Sequence, residues 1–171
     1  MEQNTNSATV LHYVLTGLFI ILLAILQTTV LRGIQIFHVI PNLLLIMTVS
    51  YSLTHGSYRA FFVGILCGLL LDLFGGRTIG MNTRLFARIV YFCVFISDSL
   101  FSNNAFVSMV FVFFLTIPYE LLTYLFYFVI WNHGAFGFAI FSKILPAALY
   151  NFLFTLVLYP LVKRVTSIGI Y

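Results

Sequence analysis

Six long apolar runs, parted by short connections, leave this chain little room for anything but membrane helices. They cover approximately residues 10–31, 40–56, 58–74, 83–97, 105–130 and 138–162. A helix crosses the hydrocarbon with about 20 mostly apolar residues, and in lipid it satisfies its own backbone polar groups. None of the runs alternates apolar with polar positions, as the wall of a transmembrane barrel must. Composition agrees, because 62% of the 171 residues are apolar and only 7% are charged. Soluble domains carry charge on about a quarter of their residues. The expected fold is all-α: a single integral membrane domain over residues 1–171, a bundle of about six transmembrane helices.

The runs are not equivalent. The first has no basic leader and exceeds the roughly 7–15 apolar residues of a signal-peptide core, so it is expected to remain as a span. The second opens at Pro41, a residue suited to the first turn of a helix. From Pro41 to Thr54 it measures about 21 Å at 1.5 Å per residue. That is short of a bilayer, so it is expected to borrow flanking residues or to sit where the membrane is thin. Orientation stays open. One side carries Arg59, Lys163 and Arg164, the other Arg32, Arg77, Arg84 and Lys143, which is no bias under the positive-inside rule. The terminal pair Lys163-Arg164 mildly favours a cytoplasmic C-terminus.

Several function classes fall away. The net charge of +4 is spread thinly, with no basic face for nucleic acid. No HExxH, GxSxG or P-loop sequence occurs, so neither an enzyme nor a metal or cofactor site is expected. Cys67 and Cys93 lie inside apolar runs and read as small hydrophobes. His12, His38, His55 and His133 share no ligand spacing and read as interfacial, as do Tyr58, Tyr119, Trp131 and Tyr159.

Ionisable residues inside spans are the functional candidates. Gly64, Gly68 and Asp72 recur every fourth residue and so share one face of the third helix. The Gly64–Gly68 pair lets another backbone come close. Gly75 and Gly76 are expected to end that helix. Arg84 and Arg88, again four apart, begin the next one, facing Asp72 across the hairpin. Asp72 then forms either an ion pair or hydrogen-bonded lock between the two spans, or a contact with a ligand or partner. Glu120 lies near the middle of the fifth run, two residues after the helix-kinking Pro118. An acid there costs about 2.5–3.5 kcal/mol on insertion scales, which the surrounding apolar residues offset. Its role, structural or functional, is open at this level.

The pieces "LQTTVL", "PNLLLIMTVSYSL" and "GILCGLLLDLFGGRTIGMNT" together resemble the MreD family of rod shape-determining membrane proteins. The family's glycine-bearing helix, Leu-Asp pair and glycine-rich turn correspond here to Gly64, Gly68, Leu71, Asp72, Gly75, Gly76, Gly80 and Asn82. This chain departs from the pattern in three ways. Asn42 stands where the family commonly has an acid, Arg77-Thr78 replaces a small residue or proline, and Arg84 and Arg88 make the fourth helix more basic. The resemblance implies a multi-pass protein of the bacterial plasma membrane with both termini cytoplasmic. Its fold would be similar to the substrate-binding subunits of energy-coupling-factor transporters. It also implies a non-enzymatic scaffold of the elongation complex that binds MreC and reaches MreB, RodA and its transpeptidase. In that reading the transmembrane helix of MreC docks on a small-residue groove such as the Gly64–Gly68 face. The alternative is a transporter subunit binding a small molecule or lipid, with Asp72, Asn82, Arg84 and Glu120 lining a polar cavity.

Overall fold

The structure, a computed structural model, describes residues 2–34, 39–55, 57–75, 80–97, 104–131 and 143–167. Six α-helices run through them: α1 (Glu2–Thr29), α2 (Leu43–His55), α3 (Ser57–Gly75), α4 (Met81–Ser97), α5 (Ala105–Trp131) and α6 (Leu145–Ser167). A short 3-10 turn at Leu31–Ile34 follows α1, and no strand occurs among the described residues. Each apolar run contains one helix, but two of the ends differ. α1 already begins at Glu2. α6 begins at Leu145 and continues to Ser167, past Lys163 and Arg164. That basic pair ends the apolar run without ending the helix, because cations suit a helix C-terminus and their long stems reach the interface.

Three segments are long and apolar enough to cross a membrane: Val10–Thr29, Ala105–Phe126 and Leu145–Ser167. Their outer faces carry exposed Leu18, Ile21, Phe114, Leu153 and Leu156. α3 and α4 add Phe62, Leu73, Tyr91 and Phe95. Apolar surface on this scale, on several sides of one bundle, requires lipid rather than water as its solvent.

The helix α2 is the exception that organises the rest. It has 13 residues, and every one from Leu43 to Leu53 is buried. It touches all five other helices. A helix that is apolar all round belongs inside a bundle. α2 is short because its neighbours, not lipid, surround it. Its polar side chains turn inward: the Thr48 hydroxyl donates to the Leu44 carbonyl at 2.8 Å, and Ser50 meets Ser108 of α5 at 3.0 Å. Small hydroxyls of this kind let membrane helices approach closely.

Candidate functional site

The start of α4 is held by a side chain from α3. Asp72 is 3% exposed. Its Oδ2 accepts the backbone N–H of Gly80 at 2.9 Å and of Thr83 at 3.1 Å, and its Oδ1 accepts the N–H of Asn82 at 3.0 Å. The Thr83 hydroxyl adds a fourth bond at 2.6 Å to Oδ2. The first amides of any helix have no partner within it. Here one carboxylate satisfies three of them, in the role an N-cap residue usually plays from within its own chain segment. Its negative charge also sits at the positive end of the α4 dipole.

Of the two expected forms of the lock, ion pair or hydrogen-bonded, the hydrogen-bonded one is present. Arg84 and Arg88 are exposed on α4, and the partners of Asp72 are amides and a hydroxyl. Among the described residues, the lock between the two helices is a helix cap and not an ion pair with Arg84 or Arg88. α3 reaches Gly75, where the helix is expected to end, and Gly75 is exposed and does not have a positive φ. Among the described residues the glycine with positive φ is Gly80, at +91°, which turns the chain into α4 and presents its own N–H to Asp72. Gly76 lies outside the described residues.

The glycines beneath Asp72 explain how α4 reaches the carboxylate. A Cβ on Gly68 would lie 2.6 Å from the Thr83 Cα and 2.9 Å from its nitrogen. A Cβ on Gly64 would collide with Cγ2 of Val90. The Gly64–Gly68 face is thus filled by α4 of the same chain. Asn82 extends the node to α5 by accepting the Tyr119 hydroxyl at 2.8 Å, and Phe86 packs edge-on against the same ring. Tyr119 and Tyr159 are buried.

Beyond Tyr119, α4 and α5 share few close backbone approaches. An apolar cleft of about 570 Å³ opens there, lined by Ile89, Phe92 and Ile96 of α4 and by Phe111, Phe114 and Pro118 of α5, with Arg88 at its wall. Glu120 is half-buried and stands outside this lining. The charge acting on it is Lys143, just ahead of α6. Neither this cleft nor the cavity between α1 and α3 is lined by Asp72, Asn82, Arg84 or Glu120.

A second polar node was missed by reasoning from charges. Asn42 caps α2: its Oδ1 accepts the Leu45 N–H at 3.1 Å, three residues on. Its own N–H donates to Oδ1 of Asn151 on α6 at 2.7 Å, and Asn151 Nδ2 donates to Thr116 of α5 at 3.1 Å. Gln27 of α1 donates to Asn42 Oδ1 at 3.4 Å and accepts the Leu44 N–H at 3.2 Å. Four helices meet on one neutral network. The available signal was Asn151, an amide alone in an apolar run. Replacing Asn151 by alanine is expected to destabilise the bundle by about 2–4 kcal/mol, because buried donors lose partners and a void remains. Detergent-solubilised thermal melts followed by circular dichroism would measure this, with the exposed Leu149→Ala unchanged as the comparison.

The histidines divide. His12 is buried and meets the Tyr51 hydroxyl at 3.3 Å, while His55 stacks on the Tyr51 ring and reaches the Thr166 carbonyl at 3.2 Å. Both take part in contacts between helices. His38 and His133 lie outside the described residues. No group of three metal-ligating side chains occurs among the described residues.

A buried core helix, two helix starts capped by neighbouring helices and an apolar outer surface define a helical membrane protein whose polar groups serve assembly. The chain belongs to the MreD family: the family model for the rod shape-determining protein MreD matches residues 8–166. The match extends through α5 and α6, where the sequence motifs are silent. Membership supports a role in rod-shape determination and association with the rod-shape complex. Among curated proteins and solved structures, nothing matches.

Proposed function

We propose that this protein is a non-enzymatic scaffold of the bacterial cell-elongation complex, with all six helices spanning the plasma membrane and both termini cytoplasmic. The fold would then be of the kind found in energy-coupling-factor substrate-binding subunits. The scaffold binds the single transmembrane helix of MreC and so links MreB to RodA and its transpeptidase. Since α4 fills the glycine face, the docking surface must lie elsewhere, and the cleft between α4 and α5 is the best candidate. The observation that carries this reading is Arg88, an exposed cation on the wall of an otherwise apolar recess. A charge within a span calls for a polar companion. Of the acids whose side chains are described, Asp72 is committed to the α4 amides and Glu120 faces Lys143. A partner helix in the cleft could supply the companion.

The test is co-purification of MreC with the double variant Phe92→Ala, Phe114→Ala. Truncating two large anchors at the centre of an interface is expected to lower recovery by about tenfold or more. The variant Leu153→Ala, Leu156→Ala, on the outer face of α6, should recover MreC as the wild type does. Full recovery with the cleft variant would exclude the cleft as the docking site.

A further inference from the structure

A second cavity, of about 350 Å³, lies between α1 and α3. Its lining is sorted by polarity along the two helices. Tyr13, Thr16 and Arg59 stand toward the end where α3 begins, and Ile20, Phe62 and Leu66 continue toward the bundle's middle. Gly17 keeps a slot open between them, since a Cβ there would meet no atom within 4 Å. The cavity is therefore amphipathic in one direction, polar near a helix end and apolar further in.

Thr16 marks this cavity as a site for a ligand. A threonine in a helix commonly returns its hydroxyl to the carbonyl four residues back, and Thr48, Thr116, Thr155 and Thr166 all do so here. Thr16 does not. It is 3% exposed, and its hydroxyl has no hydrogen-bond partner. A buried polar group left unpaired is costly and calls for an explanation. Arg59, at the mouth, is exposed, and neither Asp72 nor Glu120 is placed to neutralise it. A guanidinium, a buried hydroxyl and an apolar slot beneath them match an anion attached to an acyl chain.

We propose that this cavity binds an anionic phospholipid from the surrounding leaflet. Its phosphate takes the Arg59 guanidinium, whose fork of donors suits phosphate oxygens, together with the Thr16 hydroxyl. One acyl chain follows Gly17, Ile20, Phe62 and Leu66 into the bundle. The site would tie the α1–α3 contact to the charge of the membrane around it, independently of any protein partner.

Delipidated protein in detergent, offered equal dioleoylphosphatidylglycerol and dioleoylphosphatidylcholine, tests this by native mass spectrometry. The wild type should retain the anionic lipid over the zwitterionic one by about fivefold, the factor expected for one arginine at an anionic surface. Arg59→Gln and Thr16→Val should each move that ratio toward parity. Gly17→Leu should reduce retention of both lipids. Lys163→Gln should leave the ratio unchanged: its helix reaches the same end of the bundle, where Thr166 meets His55, but it does not line the cavity. Circular dichroism in lipid-free detergent confirms that each variant is folded. Equal retention of the two lipids by the wild type overturns the proposal. So does a preference that survives Arg59→Gln and Thr16→Val together, or one that falls as far in Lys163→Gln as in Arg59→Gln, which would show only diffuse surface charge.

Discussion

Replacing Gly68 by alanine is expected to unseat α4, lowering stability by about 3 kcal/mol, the upper end of the range for overpacking a tight interior. The reason is what the new methyl would meet. Its nearest neighbours are Thr83 Cα at 2.6 Å, Thr83 N at 2.9 Å and the Asn82 carbonyl oxygen at 3.0 Å. These are backbone atoms and cannot rotate away, so the helix itself must shift. The same atoms belong to the residues that donate to Asp72, so the shift also stretches the cap. Gly64→Ala should be milder, because its obstacle is the Val90 side chain. Gly75→Ala meets nothing within 4 Å and should leave stability unchanged or slightly raised, since alanine is the better helix former. Thermal melts of the three purified variants give the ranking. Equal losses at Gly68 and Gly75 would mean that close approach of α4 is not what Gly68 provides.

This contrast also marks how far the sequence could be read. Recurrence of Gly64, Gly68 and Asp72 at every fourth residue located the α3 face and the acid that matters. It could not say what covers that face, since a close approach by α4 and one by a partner helix require the same small residues. Which form of lock Asp72 makes stayed open for a related reason. Arg84 and Arg88 are visible as letters, whereas the unpaired amides at the start of a helix belong to every sequence alike. The placement of α2 was legible in its shortness, once a short apolar run is read as a core helix. The network of Gln27, Asn42, Thr116 and Asn151 was hidden because it carries no charge and draws on four separated segments. Arg88 was singled out as a partner for Asp72, and only the structure shows that it borders a cleft between α4 and α5.

Loss of the Asp72 carboxylate should be the other severe change, and its pattern distinguishes a cap from an ion pair. Asp72→Ala leaves the N–H groups of Gly80, Asn82 and Thr83 without their acceptor. A buried donor stripped of its partner costs about 1–3 kcal/mol, so a total loss of about 3–5 kcal/mol is expected after partial relaxation. Asp72→Asn keeps one oxygen but turns an NH₂ toward donors, so it should fall between alanine and the wild type. If the carboxylate instead worked through Arg84 or Arg88, removing either guanidinium would reproduce much of that loss. Both arginines are exposed, and Arg84→Gln and Arg88→Gln should leave the melting transition in place. A double-mutant cycle sharpens the comparison, because only groups in contact are expected to couple. Asp72→Asn combined with Thr83→Val should show coupling of about 1 kcal/mol or more, reflecting the 2.6 Å bond between the hydroxyl and Oδ2. Asp72→Asn combined with Arg84→Gln should be additive. The reverse outcome, coupling to Arg84 and none to Thr83, would restore the ion pair and remove the cap as the device that seats α4 on α3.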